Sequence, residues 1–189
     1  MPKLRLEKVY QQFIKFISRS YEILHVINDV KALYPKLLAT YKFDQDEYKS
    51  VKCDPLEEGA AYELYFSLTD KQHKELNKIC IQVYKKAAAS NNSSKSKWPN
   101  KPSTMPYKPD DEREGCWIGK AKLKGSDSGE LTTPPRQVDA GRKALPKGFE
   151  LTTGSKVNIS VTILPYNKSS FSGISLRLNG VQLLELAKK

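Results

Sequence analysis

The stretch that decides the fold is Gly115–Lys124, GCWIGKAKLK. Side chains alternate along a strand. Trp117, Gly119, Ala121 and Leu123 therefore share one side, and Ile118, Lys120, Lys122 and Lys124 the other. The first face is apolar and suits a core. The second carries three cations in a row, and such a row on a curved sheet is an electrostatic track for a polyanion.

The sequence on the C-terminal side continues as β. Gly125–Gly129 is a turn cluster, and Pro134-Pro135 lead into a short extended piece, Arg136–Asp139. Lys156–Tyr166, KVNISVTILPY, has Val157, Ile159, Val161 and Ile163 pointing in and Asn158, Ser160 and Thr162 pointing out. In Gly173–Leu186 the apolar phase of Ile174, Leu176 and Leu178 shifts past Gly180 to Val181 and Leu183. That is the mark of a β-bulge at a barrel corner.

On the N-terminal side, residues 90–114 read as a flexible loop rich in Ser, Asn and Pro, with Trp98 and Tyr107 embedded in it. Before it, a helix is expected over 71–89, capped by Thr69 or Asp70. Leu76, Ile79, Cys80 and Val83 make its buried stripe, and Lys85 and Lys86 fall in its last turns. Ala61–Leu68 reads as a strand with Tyr62, Leu64 and Phe66 on one face and Tyr65 on the other. Residues 44–59 are acidic and turn-like. Residues 30–43 are extended, since Pro35 restricts Tyr34. Residues 4–27 have helix-like spacing, though their β-branched and aromatic content leaves a strand pair open.

This inventory predicts a mainly β protein: an OB-fold-like small β-barrel of five to seven strands with one inserted helix. Two parts are expected. Residues 1–30 form an N-terminal extension that caps the barrel or mediates dimerisation, and residues 31–189 form the binding domain.

Composition narrows the function. The 189-residue chain carries 32 Lys and Arg against 21 Asp and Glu, a net charge of +11 that favours an anionic partner. Cys53, Cys80 and Cys116 have no CxxC spacing, and His25 and His73 form no ligand pair, so no metal or cofactor is expected. The N-terminal apolar residues are interrupted by charges, and no run reaches the roughly 20 apolar residues of a spanning helix. A soluble, cytoplasmic protein without membrane contact is expected. There is no GxSxG elbow and no phosphate loop.

Cations and aromatics interleave through the β region. The candidate nucleic-acid-binding residues are Trp98, Tyr107, Lys120, Lys122, Lys124, Arg136, Arg142, Lys143, Lys156, Tyr166, Lys168, Phe171 and Arg177. Aromatic faces stack on unpaired bases, and Lys and Arg displace counterions from phosphates. Trp117, on the apolar face, reads as core.

From Lys31 onward the chain resembles the phage-encoded single-stranded DNA-binding proteins of the OB-fold type found in tailed phages. The resemblance is carried by Leu33–Leu37, Tyr62–Phe66, Gly115-Cys116-Trp117, Arg136–Asp139 and Gly173-Ile174-Ser175 leading to Leu178–Gln182. It implies an OB barrel, sequence-tolerant binding of single-stranded DNA, and a role in viral DNA replication, recombination or repair, with replication proteins as partners. Proteins of this kind often carry an acidic C-terminal tail, whereas this sequence ends Glu185-Leu186-Ala187-Lys188-Lys189. The expected activity is non-enzymatic. Two alternatives stay open: a Mg²⁺-dependent nuclease using Asp110, Asp111, Glu112 and Glu114, and a basic interaction or virion protein without preference for single strands. RNA is a nearer variant on the same fold.

Overall fold

A computed structural model of the chain describes residues 22–91, 97–168 and 171–188. In chain order the elements are β1 (Ile23–Asp44), β2 (Lys49–Lys52), β3 (Ala61–Thr69), α1 (Asp70–Asn91), β4 (Tyr107–Pro109), β5 (Cys116–Lys124), β6 (Ser126–Asp127), β7 (Glu130–Leu131), β8 (Arg136–Val138), β9 (Lys156–Lys168) and β10 (Phe171–Glu185). The main sheet runs β4-β5-β3-β1-β9-β10-β8, and a parallel contact between β5 and β10, Lys122 opposite Arg177, closes it. Five strands, β1, β3, β5, β9 and β10, thus form a closed barrel with one helix inserted between β3 and β5, an OB-fold-like architecture.

β1 is long because it serves two parts of the barrel wall. Its first half pairs with β9, and its second half with β3 and β2. A strand that turns this corner needs bulges. Its register shifts between Ile27 and Val30, between Leu33 and Lys36, and again before Tyr41. Asp29 (φ 58°) and Tyr34 (φ 46°) take left-handed backbone at the first two, so Tyr34 departs from the extended geometry expected before Pro35 because the bulge falls there. Residues 23–30, expected in the N-terminal extension, belong to this strand, and the helix-like spacing read over 4–27 gives way to strand from Ile23. Residues 1–21 lie outside the described residues. The bulge expected at Gly180 is present, as a register shift between Leu178 and Gly180.

The inward rows make one core: Leu64, Phe66 and Leu68 from β3, Ala121 from β5, Val157, Ile159, Val161 and Ile163 from β9, and Ile174, Leu176 and Leu178 from β10. Each fully buried aliphatic side chain here contributes roughly 1.5–3 kcal/mol of transfer free energy. Gly119 is glycine for a packing reason, since a Cβ there would sit 2.3 Å from the Phe66 ring.

α1 plugs one end of the barrel. Its start is a reciprocal capping box: the Thr69 backbone N–H donates to Gln72 Oε1, and the Gln72 N–H donates to Thr69 Oγ1. The Gln72 side-chain amide also bonds the carbonyls of Asn28 and Asp29, which stitches the helix to the β1 bulge. The buried face holds Leu76, Cys80 and Val83 as expected, and adds Tyr84 and Ala87. Burial pushes the Cys80 thiol up to about 12. The helix runs on to Asn91, so Lys85 and Lys86 lie before its last turn and not within it.

Much of the expected 90–114 loop is fastened down. Ser103 and Thr104 donate backbone bonds to the Ser172 carbonyl, Thr104 bridges to Gly173, and β4 pairs with β5. The Tyr84 hydroxyl joins Ser172 Oγ (2.9 Å) to the Pro99 carbonyl (3.0 Å). These bonds exist because a buried hydroxyl needs partners, and the segment that supplies them is held in place. Among the described residues no helix is long and apolar enough to cross a membrane.

Candidate functional site

The outer faces of β1, β3 and β5 meet in one cluster of charge and rings. In an antiparallel pair, opposite residues share a face. Tyr65 stands opposite both Leu33 and Lys120, and Glu63 opposite both Lys36 and Lys122. Three strands therefore deliver Lys36, Glu63, Tyr65, Lys120 and Lys122 to one patch.

Glu63 is the centre of that patch. Its side chain is 9% exposed, and it accepts from Lys120 at 2.9 Å and from Lys36 and Lys122 at 3.4 Å each. Burial pushes its carboxyl up, but the lysines outweigh this and hold it below the ordinary carboxylate value. Lys120 is pulled down by burial and pushed up by its bonds to Tyr65 and Glu63. The bonds win, and its ammonium is held above the ordinary lysine value. Lys122 goes the other way, lowered by burial and then by the charge of Lys120. The rings join the same network. Lys120 Nζ donates to the Tyr65 hydroxyl and lies 4.5 Å from the Tyr65 ring centroid, and Lys36 Nζ lies 5.1 Å from that of Tyr41.

Exposed rings stand at both ends of β5. Beyond Lys124, the β1–β2 hairpin presents Phe43 (61% exposed) and Tyr48 (85%), in edge contact at 6.1 Å. Beyond Cys116, the β9–β10 hairpin presents Phe171 (46%), in edge contact with Tyr166 at 6.0 Å and with Lys168 Nζ 5.7 Å from its centroid. Tyr34, on its bulge, is 67% exposed. Exposed rings beside ammonium groups can stack planar, electron-rich faces while the cations hold an anionic backbone.

The structure thus brings together Lys120 and Lys122 on the β5 face, with Lys124 at its end and Arg177 alongside Lys122 on β10. Arg177 is held by Glu22 at 3.2 Å. Tyr166, Lys168 and Phe171 form the hairpin group. Arg136 and Arg142 line a separate groove. Lys143 sits in the exposed Asp139–Lys143 turn, and Lys156 is paired with Asp29 at 2.9 Å.

Two expected stacking residues are placed differently. Trp98 is half-buried against the core with its ring 5.3 Å from Tyr84. Tyr107 is half-buried too; its hydroxyl donates to Asn77 Oδ1 at 2.7 Å, and burial pushes its pKa upward. Both rings seal the helix against the barrel, because an aromatic in a fastened segment gains more from burial than from solvent. Trp117 packs as expected, stacked on His73 at 3.5 Å.

Sequence reasoning missed Tyr34, Lys36, Tyr41, Phe43, Tyr48 and Glu63. A signal existed: Tyr34, Lys36, Tyr41, Lys42, Phe43, Tyr48 and Lys49 interleave rings and cations as the β region does. The acidic residues around Tyr48 masked it. As for the carboxylates of 110–114, Asp110 accepts from Arg113 Nε at 2.7 Å and from the Glu112 N–H at 3.0 Å, which lowers its pKa. Among the described residues no group of three or more metal-ligating side chains is arranged to hold an ion.

Neither family models nor curated protein sequences match the chain. Solved structures do. The chain is similar to gp2.5, a single-stranded DNA-binding protein encoded by bacteriophage T7, at 17% identity over 89% of each chain, with a TM-score of 0.63. It is also similar to the single-stranded DNA-binding protein of bacteriophage Enc34 in complex with ssDNA, at 16% identity over 90% of this chain and 89% of that one, with a TM-score of 0.62. A C-terminal truncation of the Enc34 protein gives 17% identity, 90% and 88% coverage, and a TM-score of 0.60. At these identities the shared property is the fold, and it is the fold that the sequence resemblance implied.

Proposed function

We propose that this chain binds single-stranded DNA across the outer face of β1, β3 and β5, without sequence preference and without chemistry on the strand. The observation that carries the reading is the cluster around Glu63: Lys36, Lys120 and Lys122 beside the Tyr41 and Tyr65 rings, with Phe43, Tyr48 and Phe171 exposed at the two ends of β5. Backbone anions meet the ammonium groups, and unpaired bases meet the rings. A duplex hides its base faces and cannot use the rings, so single strands are preferred. The β5-side candidates Lys120, Lys122, Lys124 and Arg177 act with the hairpin group Tyr166, Lys168 and Phe171, whereas Trp98 and Tyr107 act as packing residues. The fold shared with two phage single-stranded DNA-binding proteins supports the reading. The proposal extends to a role in replication, recombination or repair of phage DNA and to a cytoplasmic location in the host.

The test is a labelled oligo-dT incubated with the protein and Mg²⁺. Binding with the strand left intact supports the proposal. Cleavage of the strand would replace it with the nuclease reading. An oligo-U arm measures how far the face distinguishes DNA from RNA.

A further inference from the structure

Arg136 and Arg142 stand apart from the face just described. They line an open groove of about 630 Å³ on the outer surface of β1, β9, β10 and β8, with Asn158, Ser160, Asn179 and Gln182 on its floor. Neither arginine makes an ion pair among the described residues. Arg142 holds left-handed backbone (φ 65°), where a non-glycine residue is strained, and the Asp139–Lys143 turn keeps it there through the Arg142 N–H to Asp139 carbonyl bond.

The topology joins this groove to the β5 face. Both β5 and β8 run parallel to β10 along the same edge: Lys122 pairs with Arg177, and Arg136 pairs with Gly180. Three residues of strand separate those pairing points, about 10 Å at ~3.3 Å per residue. The bulge at Asn179–Gly180 turns the wall there. Gly180 permits the approach of β8, since a Cβ would sit 2.9 Å from the Arg136 carbonyl oxygen. Asn179 bonds Thr162, and Asn158 bonds Gln182, so the floor is a preset layer of amides. Of the anions along this path, Glu22 is paired with Arg177 and Asp29 with Lys156, and the Asp139 carboxylate accepts from the Lys143 backbone N–H at 2.9 Å.

We propose that a single strand leaving the β5 face passes over β10 into this groove, where Arg136 and Arg142 hold two of its phosphates. No ring lines the groove, so this stretch is gripped by its backbone alone and its bases face solvent. The inference rests on the proposed binding face, and it adds length to the site, not strength to its centre.

The experiment compares the full chain with R136Q/R142Q and K120Q/K122Q on dT oligonucleotides of about 6 and about 20 nucleotides. These lie near the lower limit and above the upper limit of the ~4–16 nucleotides that one such barrel covers. On the long oligonucleotide, R136Q/R142Q should lose affinity about 25-fold at 0.1 M salt, with the salt slope smaller by about 1.4, from ~0.7 per phosphate. On the short one it should match the parent, which also shows that it folds. K120Q/K122Q should weaken both. If R136Q/R142Q matches the parent on both lengths, or loses equally on both, the extended path is wrong. If K120Q/K122Q leaves both lengths unchanged, it is the proposed binding face that fails.

Discussion

Replacing Glu63 by Gln should tighten binding of single-stranded DNA, although it removes the anchor of three ion pairs. Lys36, Lys120 and Lys122 supply three cations and Glu63 one anion, so on the proposed face a phosphate backbone would meet a net charge of about +2. At about 0.7 in salt slope per neutralised phosphate, the patch contributes ~1.4 to the slope with Glu63 and ~2.1 with Gln. The difference amounts to about 5-fold in affinity at 0.1 M salt and about 25-fold at 0.01 M. Stability moves the other way. Lys120 is half-buried and loses a charged partner, a cost of about 1–3 kcal/mol. For a chain of this size that lowers Tm by ~2–4 °C per kcal/mol. Fluorescence anisotropy of a labelled oligo-dT across a salt series gives both affinity and slope, and a thermal melt confirms the fold. Weaker binding by a folded E63Q protein, or an unchanged slope, would refute the reasoning. It would mean that the carboxylate aligns the lysines and that their alignment outweighs their number.

Phe43→Ala and Tyr48→Ala should each weaken single-strand binding by about 1–3 kcal/mol if the ring stacks a base, with little change in Tm because both rings are exposed; anisotropy and melts together read this. Gly119→Ala forces a methyl to 2.3 Å from the Phe66 ring and should cost about 1–3 kcal/mol of overpacking, read by urea unfolding. Tyr84→Phe leaves Ser172 Oγ and the Pro99 carbonyl without their shared hydroxyl; it should cost about 1 kcal/mol and speed amide exchange at Ser103 and Thr104. In acid, Glu63 has a second signature. Its folded pKa lies below its unfolded one, so the stability it adds is complete above the unfolded value, near 4.5, and is lost as pH falls through the folded value. Tm of the parent should therefore drop more steeply than that of E63Q as pH is lowered past about 4.5.

The barrel was legible because its strands alternate cleanly. Lys156–Tyr166, Ala61–Leu68 and Gly115–Lys124 each separate an apolar row from a polar one, and each is a barrel strand. The Gly180 bulge was legible as a change of phase. β1 was harder, because its bulges at Asp29 and Tyr34 break the alternation that strand reading depends on. The first stretch of β1, from Ile23, also shares apolar residues with a helix-like period. The site divided the same way. Lys120 and Lys122 follow from period two alone. Glu63 and Lys36 reach them only through cross-strand register, which a single strand's sequence does not carry. The packing of Trp98 and Tyr107 against the core is not legible from composition, because the proline-rich stretch that carries them is held by long-range bonds to Ser172 and Asn77.

The central claim is a preference for unpaired strands created by rings and cations on one face. The most direct measurement is an anisotropy titration with labelled oligo-dT, using duplex of equal length as competitor, at low and high salt and with intrinsic Trp emission recorded alongside. Binding should be salt-sensitive and not displaced by duplex, with Trp emission little changed, because Trp98 and Trp117 are packed against the core. Equal displacement by duplex, or affinity indifferent to salt, would contradict it.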